Sequence, residues 1–204
     1  MSIQSVPCQL AKTGAHYESV FRLRSHCMAA GSADLFVDAF DQTINHFSFL
    51  HPSAEHPTAT IRVSVVKPEL GWIDSPAREW VGAEDFLEGG FVAASHLCFE
   101  PSSRRDGFVS LIGNLAALAR LFHTKWVLVC PPVEQVTAYQ NVFGFQPRGV
   151  SRKMPGACRV GQLMAVSLSQ LLGYIEYDPQ IGQCWERVLQ RLSCLRSDQV
   201  QSCA

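Results

Sequence analysis

Two stretches of the chain carry residue types that could do chemistry together. Glu100-Pro-Ser-Ser-Arg-Arg-Asp-Gly107 leads from an apolar run, Phe91–Phe99, into a long amphipathic stretch that begins at Phe108. A helix start offers free N–H groups and a partial positive charge. Two arginines, two serines and a glycine just ahead of one make a cradle for a phosphate group. The same residues also suit an ordinary solvated loop capped by Ser103 or Asp106. The second stretch is Ala138-Tyr139-Gln-Asn-Val-Phe-Gly144-Phe145, a tyrosine followed by a Gly-Phe break. Taken alone, that tyrosine is equally well a packed core ring.

The elements around these stretches follow from apolar spacing. Phe108, Leu111, Ile112, Leu115, Leu118 and Phe122 mark one face of a helix over Phe108–His123. Trp126–Cys130 is wholly apolar and bounded by Pro131-Pro132, which suits a central buried strand. Val133–Phe143 is helical and stops at Gly144. With a strand over Phe91–Phe99 and a loop over Pro101–Gly107, connection rules make the strands at 91 and 126 parallel, with the helix as crossover. Upstream, helical spacing runs over His16–Ala30, and a second stripe follows a Ser32 cap through Ile44. Strands are expected at His46–His51 and Ala59–Val66, the latter half-buried because Ile61, Val63 and Val65 alternate with Arg62 and Ser64. A short helix is expected over Ser75–Leu87. Further strands are expected at Phe145–Arg152 and Arg159–Leu168, then an amphipathic helix over Pro179–Arg196. The class is α/β (α+β), a mixed sheet flanked by helices, in one domain over 1–204 with a loose leader (1–14) and a C-terminal helical tail (175–204).

Composition narrows the chemistry. Of 204 residues, 47% are apolar, enough for a real core. Seventeen basic residues against eighteen acidic ones disfavour a nucleic-acid partner. No apolar run reaches the ~18 residues of a membrane span, and the N-terminus lacks the layout of a signal peptide, so a cytoplasmic location is expected. The eight cysteines (8, 27, 98, 130, 158, 184, 194, 203) form no CxxC pair, which favours reduced thiols and no metal site.

In order and spacing, Arg104-Arg105-Asp106-Gly107-Phe108-Val109 followed by Tyr139 and Gly144-Phe145 resembles the GNAT superfamily of N-acetyltransferases. There a loop of the form Arg/Gln-x-x-Gly-x-Gly/Ala binds pyrophosphate, and the closing helix ends in Tyr-x-x-x-x-Gly-Phe or similar. Arg104 and Gly107 match; Val109 departs. The N-terminal half narrows the resemblance. Phe21-Arg22-Leu23-Arg24, then Asp38-Ala-Phe-Asp41, then Thr60-Ile-Arg62 is similar to the acyl-homoserine-lactone synthases. It is more similar still to their relatives, the long-chain N-acyl amino acid synthases. Those families carry Glu-x-Ser-Arg on the third strand, where this chain has Ala93-Ala94-Ser95-His96: the serine fits, but the acid and the arginine are gone.

The resemblance implies transfer of a fatty acyl group from acyl carrier protein, the expected partner, to the amine of an amino acid or similar small amine. Acyl-phosphopantetheine is then a co-substrate, with no tightly bound cofactor. Acyl transfer needs a neutral amine, a stabilised oxyanion and a departing thiolate. With no glutamate at position 93, His96 is the best-placed base, with Glu100 as second candidate; the alternative for His96 is a histidine packed on its strand. Backbone N–H groups near Ser95 are placed to receive the oxyanion, and Tyr139 to protonate the thiolate. Arg104, Arg105, Gly107 and Phe108 form the pantetheine cradle, with Arg120 and Lys125 extending its basic face. Arg24, Asp38, Asp41 and Arg62 organise the acceptor, Arg24 pairing with Asp38 or Asp41. Phenylalanines at 36, 40, 47, 49 and 91 line either an acyl tunnel or plain core. Two alternatives stand beside this reading: a GNAT enzyme using acetyl-CoA or short acyl-CoA, and a catalytically silent module of the same fold that binds an acyl ligand or a partner.

Overall fold

A computed structural model of the chain describes residues 8–28, 46–53, 55–67, 89–100, 104–153 and 160–177. The second helix expected at Ser32–Ile44, the helix over Ser75–Leu87 and the tail helix from Pro179 all lie outside the described residues.

A seven-stranded sheet forms the centre, in the order β1-β2-β3-β4-β5-β9-β6. Its strands are β1 (Gln9–Leu10), β2 (His46–His51), β3 (Ala59–Val66), β4 (Phe91–Phe99), β5 (Trp126–Val129), β6 (Gln146–Pro147) and β9 (Met164–Ser167). A separate ribbon pairs β7 (Arg152–Lys153) with β8 (Val160–Gly161). Among the described strands only β4 and β5 are parallel, and the crossover between them contains a helix, as the connection rule requires. The helices described are α1 (Gly14–Met28), α2 (Arg104–Leu121), α3 (Val136–Phe143) and α4 (Leu168–Tyr177).

The strand boundaries of β2, β3 and β4 are those read from the sequence. Several other elements differ. Gln9 and Leu10, assigned to a loose leader, pair with β2, and Cys8 and Ala11 beside them are buried. α2 begins four residues earlier than its apolar stripe. Its first turn, Arg104-Arg105-Asp106-Gly107, is too polar to show periodicity, so this stretch is helix rather than loop. The helix also stops two residues early, where His123 takes a left-handed φ of 52°. The long strand expected at 145–152 is only two residues of β6 and two of β7: Pro147 has no N–H to donate to a ladder. α4 replaces the end of the expected strand at 159–168. Ser167 Oγ accepts from the Gln170 N–H at 3.2 Å and donates to Gln170 Oε1 at 3.1 Å, an N-cap that was legible in Ser-x-x-Gln.

β3 carries the largest correction. All eight of its residues are buried, including Arg62 and Ser64. Ile61, Val63 and Val65 pack against Leu111, Ile112, Leu115 and Leu118 of α2. The opposite face is covered as well, because α1 lies against β2, β3 and β4. Leu50 of β2 packs there with Val20 and Phe21 of α1. A two-state alternation therefore marks two different neighbours, and not core against solvent.

Candidate active site

The site is built where β4 leaves β5. Phe91–Ala94 of β4 pairs residue for residue with Trp126–Val129 of β5, and there the ladder stops. β4 continues to Phe99 against β3 alone. Its register slips by one residue on the way: Arg62 faces Ser95 but Thr60 faces Cys98. His96 and Leu97 thus share the single partner Ile61, which defines a β-bulge. His96 sits in it with φ 52°, a left-handed conformation that costs a side-chain-bearing residue roughly 1–2 kcal/mol. A bulge bends and twists its strand, and this one starts where the two parallel strands part. Ser95, His96 and Leu97 are half-buried, whereas Phe91, Val92 and Ala93 are buried.

The bulge also resets which side chains share a face. Residues directly opposed across a ladder lie on one side of the sheet. Thr60 and Arg62 are two apart and share a face, so Ser95 and Cys98 do too, although three residues separate them. That face is α1's. Phe99 opposes Ala59 and falls on the α2 face.

On the α2 face an aromatic chain runs across the opening. Phe99 meets Phe108 at 5.9 Å between ring centroids, Phe108 meets Tyr139 edge-on at 5.3 Å, and Tyr139 meets Phe145 at 5.8 Å. The Tyr139 ring is thereby clamped between the first turns of α2 and the residue after the α3 stop. Gly144 ends α3 in a left-handed conformation (φ 70°), and a Cβ there would strike the Tyr174 ring, so only glycine fits. Burial pushes the Tyr139 hydroxyl above the ordinary phenol range, and Cys130 at the end of β5 adds to the shift. Tyr139 is therefore a firmly protonated donor and a poor base. Phe108 and Gly107, read as cradle residues, have packing roles here. A Cβ on Gly107 would come within 2.8 Å of the Ala59 Cβ, so glycine lets the first turn of α2 lie flat on β3 beside His51. Arg104 and Arg105 open α2 by their backbone, about one turn from Phe108.

On the α1 face, two arginines and two serines sit beside this stretch of β4. Arg24 and Arg62 are both completely buried. Arg62 Nε donates to Ser95 Oγ at 3.0 Å, and Arg24 Nη2 donates to Ser48 Oγ at 3.3 Å. Arg24 also lies 6.0 Å from the Phe21 ring centre. Asp38 and Asp41, the expected partners of Arg24, lie outside the described residues, as do Phe36 and Phe40. Glu100 closes the end of β4, its N–H donating to the Thr58 carbonyl at 2.8 Å. Phe49 and Phe91 are core.

Arg120 and Lys125 do not extend the cradle. Arg120 is in the last turn of α2, roughly 24 Å along the helix axis from Arg104 at 1.5 Å per residue. The Lys125 N–H bonds the Gly89 and Gly90 carbonyls, at the far end of β4 from Ser95. Among the described residues no group of three His, Cys, Asp or Glu side chains could hold a metal ion. No helix among them is long and apolar enough to cross a membrane. The bulge was not foreseen: Ala93–Phe99 contains no glycine or proline to mark it.

A mixed sheet whose one parallel pair parts just before a bulge, with a crossover helix between its strands, is a GNAT-like fold. The family model described as "N-acyl amino acid synthase FeeM" matches residues 19–167, and the chain belongs to that family. The structure of FeeM, an N-acyl amino acid synthase from uncultured soil microbes, superposes with a TM-score of 0.67 at 13% identity, covering 82% of this chain and 93% of that one. The acyl-homoserine-lactone synthase LasI gives 0.59 at 12% identity, with 81% and 94% covered. The CoA-dependent acyl-homoserine lactone synthase BjaI gives 0.54 at 16% identity, with 83% of each chain covered. No curated protein matches the sequence.

Proposed function

We propose that this N-acyltransferase moves a long-chain fatty acyl group from an acyl carrier protein thioester to the amine of an amino acid. The observation that carries the reading is the parting of β4 and β5 at the His96 bulge, with Tyr139 across the gap. A pantetheine arm lying along that gap extends the sheet as a substitute for the missing strand partner of Ser95–Phe99. The thioester carbonyl then sits against backbone N–H groups that the bulge withdraws from the ladder, which is the geometry an oxyanion needs. His96 removes the proton of the attacking amine, whose pKa near ~8 asks only for a weak base. Glu100 is the reserve base.

As the tetrahedral intermediate collapses, the C–S bond breaks and the thiolate leaves beside Tyr139. A phenol held above its ordinary pKa stabilises a thiolate of pKa near ~8.5 by donating a hydrogen bond, with the proton arriving from the amine side. Arg104 and Arg105, at the start of α2, take the pantetheine phosphate, where the helix N-terminus adds to the attraction. Arg24 and Arg62, both buried, hold Ser48 and Ser95 in place under the acceptor, with Asp38 and Asp41 on the acceptor side. The free thiols of Cys8, Cys27, Cys98 and Cys130 suit a reducing, cytoplasmic setting.

Assays of acyl carrier protein and CoA thioesters of several chain lengths, each against a panel of amino acids, test this directly. Long-chain carrier-protein donors are expected to give N-acyl amino acids with kcat/KM at least about tenfold above any CoA donor, about 1.4 kcal/mol of barrier. BjaI, whose description is CoA-dependent, supports the second reading. A preference for acyl-CoA would establish that one instead.

A further inference from the structure

Two thiols meet where α1 lies on β4, and the transfer chemistry uses neither. Cys27 occupies the last turn of α1 and is exposed; Cys98 is buried near the end of β4. On a regular strand Cys98 would face the opposite side from Ser95. The bulge at His96–Leu97 turns it onto the α1 face. There Cys27 Sγ lies 3.6 Å from the carbonyl oxygen of Phe99, the residue next to Cys98.

We propose that Cys27 and Cys98 are a peroxide-oxidisable pair, which closes to a disulfide fastening the last turn of α1 to β4 beside the candidate active site. Cys27 Sγ already packs on the β4 backbone one residue from Cys98, and the register turns Cys98 toward the same helix, so the two sulfurs lie on one side of the strand where an S–S bond of ~2.05 Å joins neighbouring elements. The environment divides the roles. The neighbouring Cys98 thiol draws the Cys27 thiol down to about 7, against its partial burial and the nearby Glu100 charge. The Cys27 thiol alongside it, together with burial, holds Cys98 protonated. Cys27 is thus the exposed attacking thiolate, and Cys98 the resolving thiol.

The chemistry balances with hydrogen peroxide as oxidant. The Cys27 thiolate attacks one peroxide oxygen, the O–O bond breaks, and the departing hydroxide takes up a proton and leaves as water. The Cys98 sulfur attacks the resulting sulfenic sulfur, forming the S–S bond and breaking the S–O bond. The hydroxide released takes the Cys98 proton and leaves as a second water. Peroxide gains two electrons and the two thiols lose them. The link joins the helix of Arg24, three residues before Cys27, to the strand of Ser95, three residues before Cys98.

The test uses the full folded chain. Brief exposure to dilute hydrogen peroxide is followed by alkylation, digestion and mass spectrometry. A peptide pair linked through Cys27 and Cys98 is expected, reversible with dithiothreitol, forming at least about tenfold faster than any oxidation of Cys130, whose thiol burial pushes up to about 12. Cys27→Ser, at an exposed position, is expected to fold normally and to leave Cys98 reduced at the same dose. The proposal is overturned if Cys27 is recovered as sulfinate with Cys98 still reduced, if it links to another cysteine, or if Cys130 oxidises as fast.

Discussion

β4 is one strand with two characters. Its first half, Phe91–Ala94, is apolar, almost wholly buried and paired on both edges. Its second half, Ser95–Phe99, is paired on one edge only, carries a bulge and a left-handed histidine, and is largely half-buried. Four residues of regular ladder hold the sheet closed, and the next five hold it open. The difference teaches what register can do: a single extra residue opposite Ile61 marks off the doubly paired half from the half that carries the proposed site.

The closed half should break the whole molecule. Leu128 of β5 faces Ala93 and is buried with Phe91, Leu163 and Ala165. Leu128→Ala is expected to cost about 2–5 kcal/mol in urea unfolding, with activity per folded molecule kept. Gly107→Ala sets a methyl against Ala59 under the first turn of α2. About 1–3 kcal/mol of destabilisation is expected, together with a raised KM for the thioester donor, as the start of α2 lifts from β3.

The open half should break chemistry instead. His96→Gly relieves a strained backbone, so stability is expected to stay the same or rise by up to ~1 kcal/mol. Transfer is expected to fall at least about tenfold, roughly 1.4 kcal/mol of barrier, because the proposed base is gone. Retained activity in a folded His96→Gly protein would reduce His96 to the bulge-former alone. Tyr139→Phe keeps the ring between Phe108 and Phe145 and is expected to lower kcat by a similar factor, with stability changed by less than about 1 kcal/mol. Its pH dependence is the smallest effect. The folded Tyr139 pKa is raised above the unfolded ~10, so the folded state keeps the proton longer. The stability this contributes is present below about pH 10 and is lost as pH rises above it. Unfolding curves of wild type and Tyr139→Phe should coincide up to that point, and only the wild type should lose Tyr139's share beyond it.

What could be read in advance follows the same division. Strands β2, β3 and β4 announced themselves because their apolar residues and turn signals are local. The Tyr139 and Gly144-Phe145 pattern was legible for the same reason, since Gly144 is a helix stop wherever it packs. The bulge was not legible, because nothing in Ala-Ala-Ser-His-Leu-Cys-Phe marks which residue is extra; only the partner strand decides. Arg62 and Ser64 made β3 read as half-buried because sequence alternation separates two faces without saying what covers each. Gly107 read as part of a phosphate loop, and the structure adds a helix lying on Ala59. Arg120 and Lys125 failed as cradle residues because closeness in sequence ignores the length of an 18-residue helix.

The central claim is that the donor thioester occupies the gap that opens beyond Ala94 and Val129. Isotope-labelled protein titrated with a non-reactive thioether analogue of long-chain acyl-pantetheine reports it amide by amide. The account predicts large shifts at Ser95–Phe99, Gly107–Phe108, Cys130 and Tyr139, with Phe91–Ala94 and β1 nearly still. Shifts centred on the β7–β8 ribbon or the far end of α2, with Ser95–Phe99 unmoved, would contradict it.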